Sequence, residues 1–391
     1  MKLSIVVPVR NGEDYLSQCI ESILRQTFTD FELILINNAS TDGSELIIDR
    51  YRQMDKRIVV LYADNLKVNA VRKIGVTHAV GEYIGFVDCD DWVECDMYDT
   101  LLDFCDKNKL DMASSGMIKE FVHEKRKEKF PDNIPAGVYN KIELRDKVYP
   151  TMLCRQPLFS HGVQPNIWNK LFRREIITDI FADLDTDIIY GEDATVVYAA
   201  LLKSSRVGFV NENYYHYRIH DKSNTYTVQK EFLTSSLKLY RQLETIFKND
   251  EQFDVLFEQL KYFMLATSFF NLNLVFGINV HEMMRWYMPF SYIISGKKVA
   301  LFGAGNVGHD FYNAINLCCD VELVHWVDNN RSIVEDGKKE SPFVLTQDRV
   351  DFVIIAVKEK LASAEIKQKL KEYGYNDKQI LWQDYKKQLL I

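Results

Sequence analysis

Two hydrophobic rhythms alternate along the first part of the chain. Leu3 to Val9 is a near-continuous apolar run, the pattern of a strand buried on both faces. After the turn at Asn11-Gly12, residues Tyr15, Leu16, Cys19, Ile20, Ile23 and Leu24 recur at helical spacing, which predicts a helix over Glu13 to Gln26. The exchange then repeats. Strands are predicted over Phe31 to Ile36, Ile58 to Tyr62, Tyr83 to Val87 and Leu110 to Ser114. Helices are predicted through Tyr51, over Val68 to Val80 and over Met97 to Lys107, and Asn37 to Ser44 reads as a polar loop. Strands and helices alternating through short loops predict a mainly parallel, doubly wound α/β domain.

The rhythm fails between Lys119 and Asn133, where His123 to Lys129 is a mixed-charge run flanked by Phe121 and Phe130. A solvated hairpin or loop is expected there, with a substrate lid as the alternative. Order returns at Ile167 to Phe172 and at Gly191-Glu192-Asp193, which opens a helix through Leu202. Val207 to Val210 and Tyr214 to Ile219 read as strands. From Lys230 to Tyr292 the chain is helical and aromatic-rich, a candidate surface for a homo-oligomer. Its most apolar part, Phe263 to Ile278, is interrupted by Thr267, Ser268, Asn271 and Asn273. That predicts a buried helix, with peripheral membrane association as the alternative. A new strand, Lys298 to Phe302, then restarts the alternation. The expected division is therefore residues 1–228, a helical connector at 229–295 and a small Rossmann-like domain at 296–391.

Composition narrows the classes. A chain of 391 residues, 47% apolar and 27% charged, is long enough for two or three ordinary cores. A formal net charge of −8 argues for no nucleic acid as the main partner, since that calls for a basic face. Seven irregularly spaced cysteines without Cys-x-x-Cys fit reduced thiols better than disulfides or a zinc site. No run reaches the length of a bilayer span, and Met1-Lys2 leads directly into a strand, so no signal peptide is expected. A cytoplasmic protein, or one at the inner face of the cell membrane, follows as the expectation.

The chemistry concentrates at Asp88-Cys89-Asp90-Asp91, directly after the apolar run Tyr83 to Val87. Three carboxylates in four residues at the end of a packed strand repel one another unless a cation joins them. Hard oxygen ligands suit Mn²⁺ or Mg²⁺, which also bind phosphates. Open α/β sheets hold ligands at the carboxyl ends of their strands, so a metal–diphosphate site is expected here. The plainer alternative is a polar turn with an Asp capping the next helix.

Six blocks in series carry a resemblance. Ser4-Ile5-Val6-Val7-Pro8-Val9-Arg10-Asn11 with Tyr15-Leu16, Asn37 to Asp42, Asn69 to Gly75, Asp88 to Asp91, Trp168 to Phe172 with Gly191-Glu192-Asp193, and His216-Tyr217-Arg218 with Ser223 follow one another in order. Together they resemble a family-2 glycosyltransferase of the GT-A fold. Two blocks depart from its pattern: Asn37-Asn38 stands where Asp-Asp is usual, and Lys73 where Asn is usual. The resemblance implies an inverting, metal-dependent hexosyl- or N-acetylhexosaminyltransferase of bacterial surface polysaccharide synthesis. Its donor would be a nucleotide-diphospho-sugar, UDP-linked by preference, and its acceptor a glycan or lipid-linked glycan. On the donor side it implies Pro8, Val9, Arg10, Asn37, Asn38, Arg72, Asp88 and Asp90, with Arg72 on phosphate. For the metal it implies Asp90 first, then Asp88 and His216. Asp193 would be the catalytic base, with Trp168, Asp91 and Glu192 toward the acceptor. Structural roles stand beside each: a surface charge for Arg72, core packing for Trp168, helix-start carboxylates for Glu192 and Asp193, a structural histidine for His216.

A second glycine turn, Gly303-x-Gly305-x-x-Gly308, follows a strand and opens a helix, and Asp328 ends the next strand. That context fits a second nucleotide site, yet the unit is half of a full dinucleotide fold. A structural, partner-binding or nucleotide-sensing module is the first expectation. Two other functions remain: an NAD-dependent oxidoreductase or epimerase centred on Gly303–Asp328, and a non-catalytic scaffold.

Overall fold

The structure is a computed structural model and describes all residues except 123, 155–160, 221–230, 277–283, 287–289, 318–320, 331–338, 384–386 and 390–391. His123, Ser223 and Ile278 thus lie outside the described residues. Contacts divide the chain into two compact units, Met1–Phe276 and Gly277–Ile391.

The first unit is built on one mixed sheet. Its parallel half contains β1 (Leu3–Val9), β2 (Phe31–Asn38), β3 (Ile58–Ala63) and β4 (Tyr83–Phe86), in the spatial order β3-β2-β1-β4. The first two are buried almost throughout, as their unbroken apolar runs require. Three amphipathic helices join these strands: α1 (Leu16–Leu24), α2 (Ser44–Met54) and α3 (Val68–His78). Asn37 and Asn38 were expected in a loop but complete β2 and are buried, because Asn37 pairs with Val9 and Tyr62 across the sheet.

Beyond β4 the sheet departs from the mainly parallel expectation. After β5 (Trp92–Val93) and α4 (Met97–Asn108) come β6 (Met112–Phe121), β7 (Arg126–Phe130) and β8 (Gly137–Asn140). β6 and β7 form the expected antiparallel hairpin. Asn140 caps the single turn α5 (Lys141–Glu143). The short strand β9 (Lys170–Arg173) then inserts antiparallel between β4 and β6. It is followed by α6 (Arg174–Asp183) and α7 (Glu192–Lys203). The two strands expected after Arg206 are one, β10 (Arg206–Ile219), whose register with β6 shifts between Phe209 and Tyr215. Such a shift bends a strand without ending it. Its second half reaches over to pair antiparallel with β5.

Helices α8 (Phe232–Phe247) and α9 (Phe253–Phe276) were expected to form a separate connector. Leu239, Leu243, Phe247, Leu256, Leu260 and Phe263 instead join the core of the first unit. Among the described residues no helix is long and apolar enough to cross a membrane.

The second unit contains β11 (Met284–Trp286), α10 (Ser291–Ile294), β12 (Lys298–Phe302), α11 (Asn306–Leu317), β13 (Glu322–Val327), β14 (Phe352–Ile355), α12 (Lys360–Glu372), β15 (Ile380–Leu381) and β16 (Lys387–Leu389). Four of these strands form a parallel sheet in the order β13-β12-β14-β15, and β11 pairs with β16.

Candidate active site

The carboxyl ends of β1, β2 and β4 lie side by side, so the segments after them share one edge. The loops after β1 and β2 are stitched together: Thr41 N–H donates to Asn11 Oδ1 at 2.8 Å, and Gly12 N–H to Ser44 Oγ at 2.9 Å. Pro8 and Val9 end β1 at this edge, and Arg10 is exposed beside them. Asn37 Oδ1 accepts from Ser40 N–H at 3.1 Å. Asn38 spends its amide on Leu66, donating to its carbonyl at 2.9 Å and accepting its N–H at 2.8 Å. Asn38 therefore braces the β2 and α3 ends, in place of the donor contact expected of it.

The acidic stretch sits at the end of β4, and β10 determines what each carboxylate does. Asp91 is 1% exposed. It accepts Tyr215 Oη–H and Arg218 N–H, each at 2.7 Å. Burial and the neighbouring Asp90 and Asp88 hold its carboxyl well above the usual range. Expected to face metal or acceptor, Asp91 instead anchors β10. Arg218 adds a bond from Nε to the Asp90 carbonyl at 2.7 Å and lies 4.4 Å from the rings of Tyr15 and Trp92. With its backbone pinned in this way, Asp90 keeps a side chain that is 33% exposed and meets His220 Nε2 at 3.0 Å.

His216 is differently placed. Its Nδ1 faces Glu120 at 2.7 Å, its Nε2 faces Glu94 at 2.8 Å, and its ring stacks on Trp92 at 4.7 Å. Both of its ring nitrogens are engaged by carboxylates, and it is His220, not His216, that meets the acidic loop. Sequence reasoning had singled out His216 from the His-Tyr-Arg block. The only signal for His220 was its spacing of four from His216, and two residues that far apart along an extended strand lie about 13 Å from each other, too far to share a metal.

Arg72 joins the two halves of the site. Expected to meet phosphate, it is 2% exposed and both of its Nη atoms bond protein carboxylates. Nη1 donates to Asp193 Oδ1 at 2.6 Å, Nη2 to Asp88 Oδ1 at 3.1 Å, and Glu192 Oε1 lies 3.8 Å from Nη1. Asp193 and Glu192 occupy the first turn of α7, whose start is fixed by Gly191 at φ +70°. The positive φ favours glycine there, and a Cβ on Gly191 would also lie 2.8 Å from Leu239 Cδ2, which would have to shift. Burial pushes Asp88 up to about 6, with the charges of Asp193 and Asp90 adding to it and Arg72 opposing. Burial, then the Asp193 charge, also raises the Glu192 carboxyl.

Trp168 was expected to offer a flat face to a sugar. It is 5% exposed and stacks on Tyr215 and Tyr217, with centroids 4.0 and 5.6 Å away. It is a packed wall, and its contribution to the site is the backbone beside it: Ile167 N–H donates to Asp193 Oδ2 at 3.3 Å. Buried Lys170 fixes that segment by donating to Asn166 O and Asn169 Oδ1, both at 2.8 Å. Burial pushes its ammonium down to about 8.

In the second unit the glycine turn has a visible packing role. A Cβ on Gly308 would lie 2.0 Å from Gly303 O, so α11 can sit this close to β12 only with glycine there. Among the described residues, apart from its chain neighbours, no heavy atom lies within 4 Å of where a Gly305 Cβ would be. The Asp328 carboxylate accepts Ala304 N–H at 2.6 Å and Asn330 N–H at 2.8 Å. It is thereby tied to the turn.

Comparison with known proteins matches this chain to a family. The model described as Glycosyl transferase family 2 matches residues 4–181. The chain is 32% identical over 248 residues to the uncharacterized glycosyltransferase EpsJ of Bacillus subtilis (strain 168), spanning 63% of this chain and 70% of that protein. It is 31% identical over 266 residues to the minor teichoic acid biosynthesis protein GgaB of the same organism, spanning 66% of this chain and 28% of that protein. The solved structure of S. aureus TarS 1-349 in complex with UDP-GlcNAc shares the fold, with a TM-score of 0.52 at 18% identity over 75% of this chain and 76% of that one. With an Asp-rich loop at the end of its fourth strand and relatives at this level of identity and coverage, the chain belongs to glycosyl transferase family 2 and has the GT-A fold.

Proposed function

We propose that this glycosyltransferase moves a hexosyl or N-acetylhexosaminyl group from a UDP-sugar to a glycan or lipid-linked glycan acceptor in bacterial surface polysaccharide synthesis, with inversion. The observation that carries the reading is the convergence of Asp88, Asp90 and Asp193, from the end of β4 and the start of α7, on one edge of the sheet. The polysaccharide context is supported by the names of the relatives, and the UDP preference by the TarS complex.

Pro8, Val9, Arg10 and Asn37 line the edge where base and ribose would lie, with Asp88 toward the ribose. Among the described residues no three His, Cys, Asp or Glu side chains converge on one metal position. Asp90 Oδ2 and His220 Nε2 face each other at 3.0 Å and are the oxygen and nitrogen nearest the diphosphate side in this reading. Asp90 and His220 would hold a Mn²⁺ or Mg²⁺ ion brought in with the diphosphate, with Asp88 in support. Such an ion, when bound, neutralises charge on the departing nucleotide.

Asp193 takes the proton from the acceptor hydroxyl. The acceptor oxygen forms its bond to the anomeric carbon on the face opposite the nucleotide, whose bond breaks with the electron pair leaving on the diphosphate. No general acid is required at the leaving group. Glu192, raised by burial, is placed beside Asp193 to hold the acceptor. The glycine turn of the second unit is given no part in this reaction.

The test is thermal shift with UDP, dTDP, GDP and NAD(H), with and without Mn²⁺, on the wild type and Asp90→Ala. A ligand at about a hundred times its Kd stabilises by about 2.7 kcal/mol. Stabilisation by UDP that needs both Mn²⁺ and Asp90 is expected. Stabilisation by NAD(H) alone, indifferent to Asp90, would move the function to the second unit.

A further inference from the structure

Among the described residues, two hydrogen bonds hold the Asp193 carboxylate. The stronger is the charge-assisted bond to Arg72 Nη1 at 2.6 Å, and the weaker is Ile167 N–H at 3.3 Å. The same guanidinium reaches Asp88 through Nη2, and its Nη1 is supported from within α3 by Asn69 Oδ1 at 3.3 Å. Its Nε is buried and has no hydrogen-bond partner among the described residues. One cation therefore stands among Asp88, Asp193 and Glu192 and faces both halves of the site. Little of the fork remains for a phosphate.

We infer that Arg72 is a positioning residue: it fixes the carboxylate of Asp193 for proton removal, and through Asp88 it ties that orientation to the donor side. The inference rests on the proposed function, in which Asp193 is the base. Without Arg72 the carboxylate keeps only the longer bond to Ile167, and Glu192 and Asp88 repel it with no cation between them. A carboxylate free to turn about its side-chain bonds loses the alignment that proton transfer needs. If Arg72 held the diphosphate instead, its loss would weaken donor binding and act independently of Asp193.

A double-mutant cycle on the full chain separates these roles. Wild type, Arg72→Met, Asp193→Asn and the double variant are compared for UDP release from a panel of UDP-sugars at saturating donor with Mn²⁺. Water stands in for the acceptor: its oxygen bonds to the anomeric carbon, its proton goes to Asp193, and UDP departs. Arg72→Met is expected to lower kcat about 100-fold, the lower range of a base's contribution. In the Asp193→Asn background the same change is expected to cost less than about 3-fold, because interacting residues are not additive. Arg72→Lys, which keeps a cation without the fork, is expected to fall between, and carries the test if Arg72→Met does not fold. Guanidinium chloride at low millimolar concentration is expected to restore part of the rate of Arg72→Ala, and none in the Asp193→Asn background. Losses that multiply in the double variant, or a raised donor KM with kcat unchanged, would overturn the inference while leaving the proposed function standing. No binding of UDP and no turnover of any UDP-sugar by the wild type would overturn the proposed function, and this inference with it.

Discussion

Truncation of Trp168 separates a sugar platform from a packed wall. The indole is 5% exposed and stacks on Tyr215 at 4.0 Å. Burying an aromatic side chain of this size removes about 150–250 Å² from water. At about 25 cal/mol per Å² that is worth about 4–6 kcal/mol, an upper figure because unfolded chains are already partly compact. Trp→Ala changes in cores cost about 3–5 kcal/mol once cavity and transfer effects combine. A loss of about 4 kcal/mol is therefore expected for Trp168→Ala. Calorimetry should show the first unit's transition lowered by about 8 °C, taking about 2 °C per kcal/mol for a unit of this size. Denaturant unfolding should show a lower midpoint at unchanged m-value. Trp168→Phe, which keeps a ring against Tyr215, should recover most of the loss. Because Ile167 N–H supports Asp193, kcat should fall as well, with UDP affinity retained in the folded fraction. A transition within about 2 °C of wild type, together with a raised acceptor KM, would refute the packing argument and return Trp168 to the sugar.

The two histidines of the β10 segment should behave oppositely. His220→Ala is expected to weaken Mn²⁺-dependent UDP binding by about tenfold or more, a loss of about 1.4 kcal/mol, with little change in Tm. His216→Ala is expected to lower Tm, since it removes the bonds to Glu94 and Glu120 and the stacking on Trp92, and to leave the Mn²⁺ dependence intact; calorimetry and titration with UDP distinguish them. Lys170 gives a pH dependence. Its ammonium is lowered to about 8 from 10.5, so between those values the unfolded chain binds the extra proton and stability rises with pH. The penalty below pH 8 is about 3 kcal/mol at most, and Lys170→Met should flatten the slope of unfolding free energy across pH 8–10; an unchanged slope would exclude Lys170 as its source. Gly191→Ala forces a side chain into φ +70° against Leu239 and should cost about 1–2 kcal/mol while displacing Asp193, read as a fall in kcat larger than any change in UDP affinity.

Much of this protein is written in local pattern. Apolar runs and helical stripes determine β1, α1, β2 and β4, because each buries its own residues through short-range periodicity. The place of the acidic stretch follows in the same way, since a carboxylate cluster after a buried strand must lie at its carboxyl end. The start of α7 at Gly191 is equally local, and with it the placement of Glu192 and Asp193 on one turn. What pattern could not supply is which charge meets which. Asp88 and Asp91 are neighbours in sequence, yet β10, arriving more than a hundred residues later, buries Asp91 under Tyr215 and Arg218 and leaves Asp90 to His220. Four residues along an extended strand span about 13 Å, and that distance alone separates His216 in its carboxylate clamp from His220 at the acidic loop. The antiparallel insertion of β9 is likewise invisible in a four-residue run, and it is β9 that carries Trp168 and Ile167 to the edge. Arg72 and Asp193 are 121 residues apart. Residue types and periodicity determine what each segment can bury; only the packed sheet decides which buried charges share a site, because that depends on where strands distant in sequence come to lie.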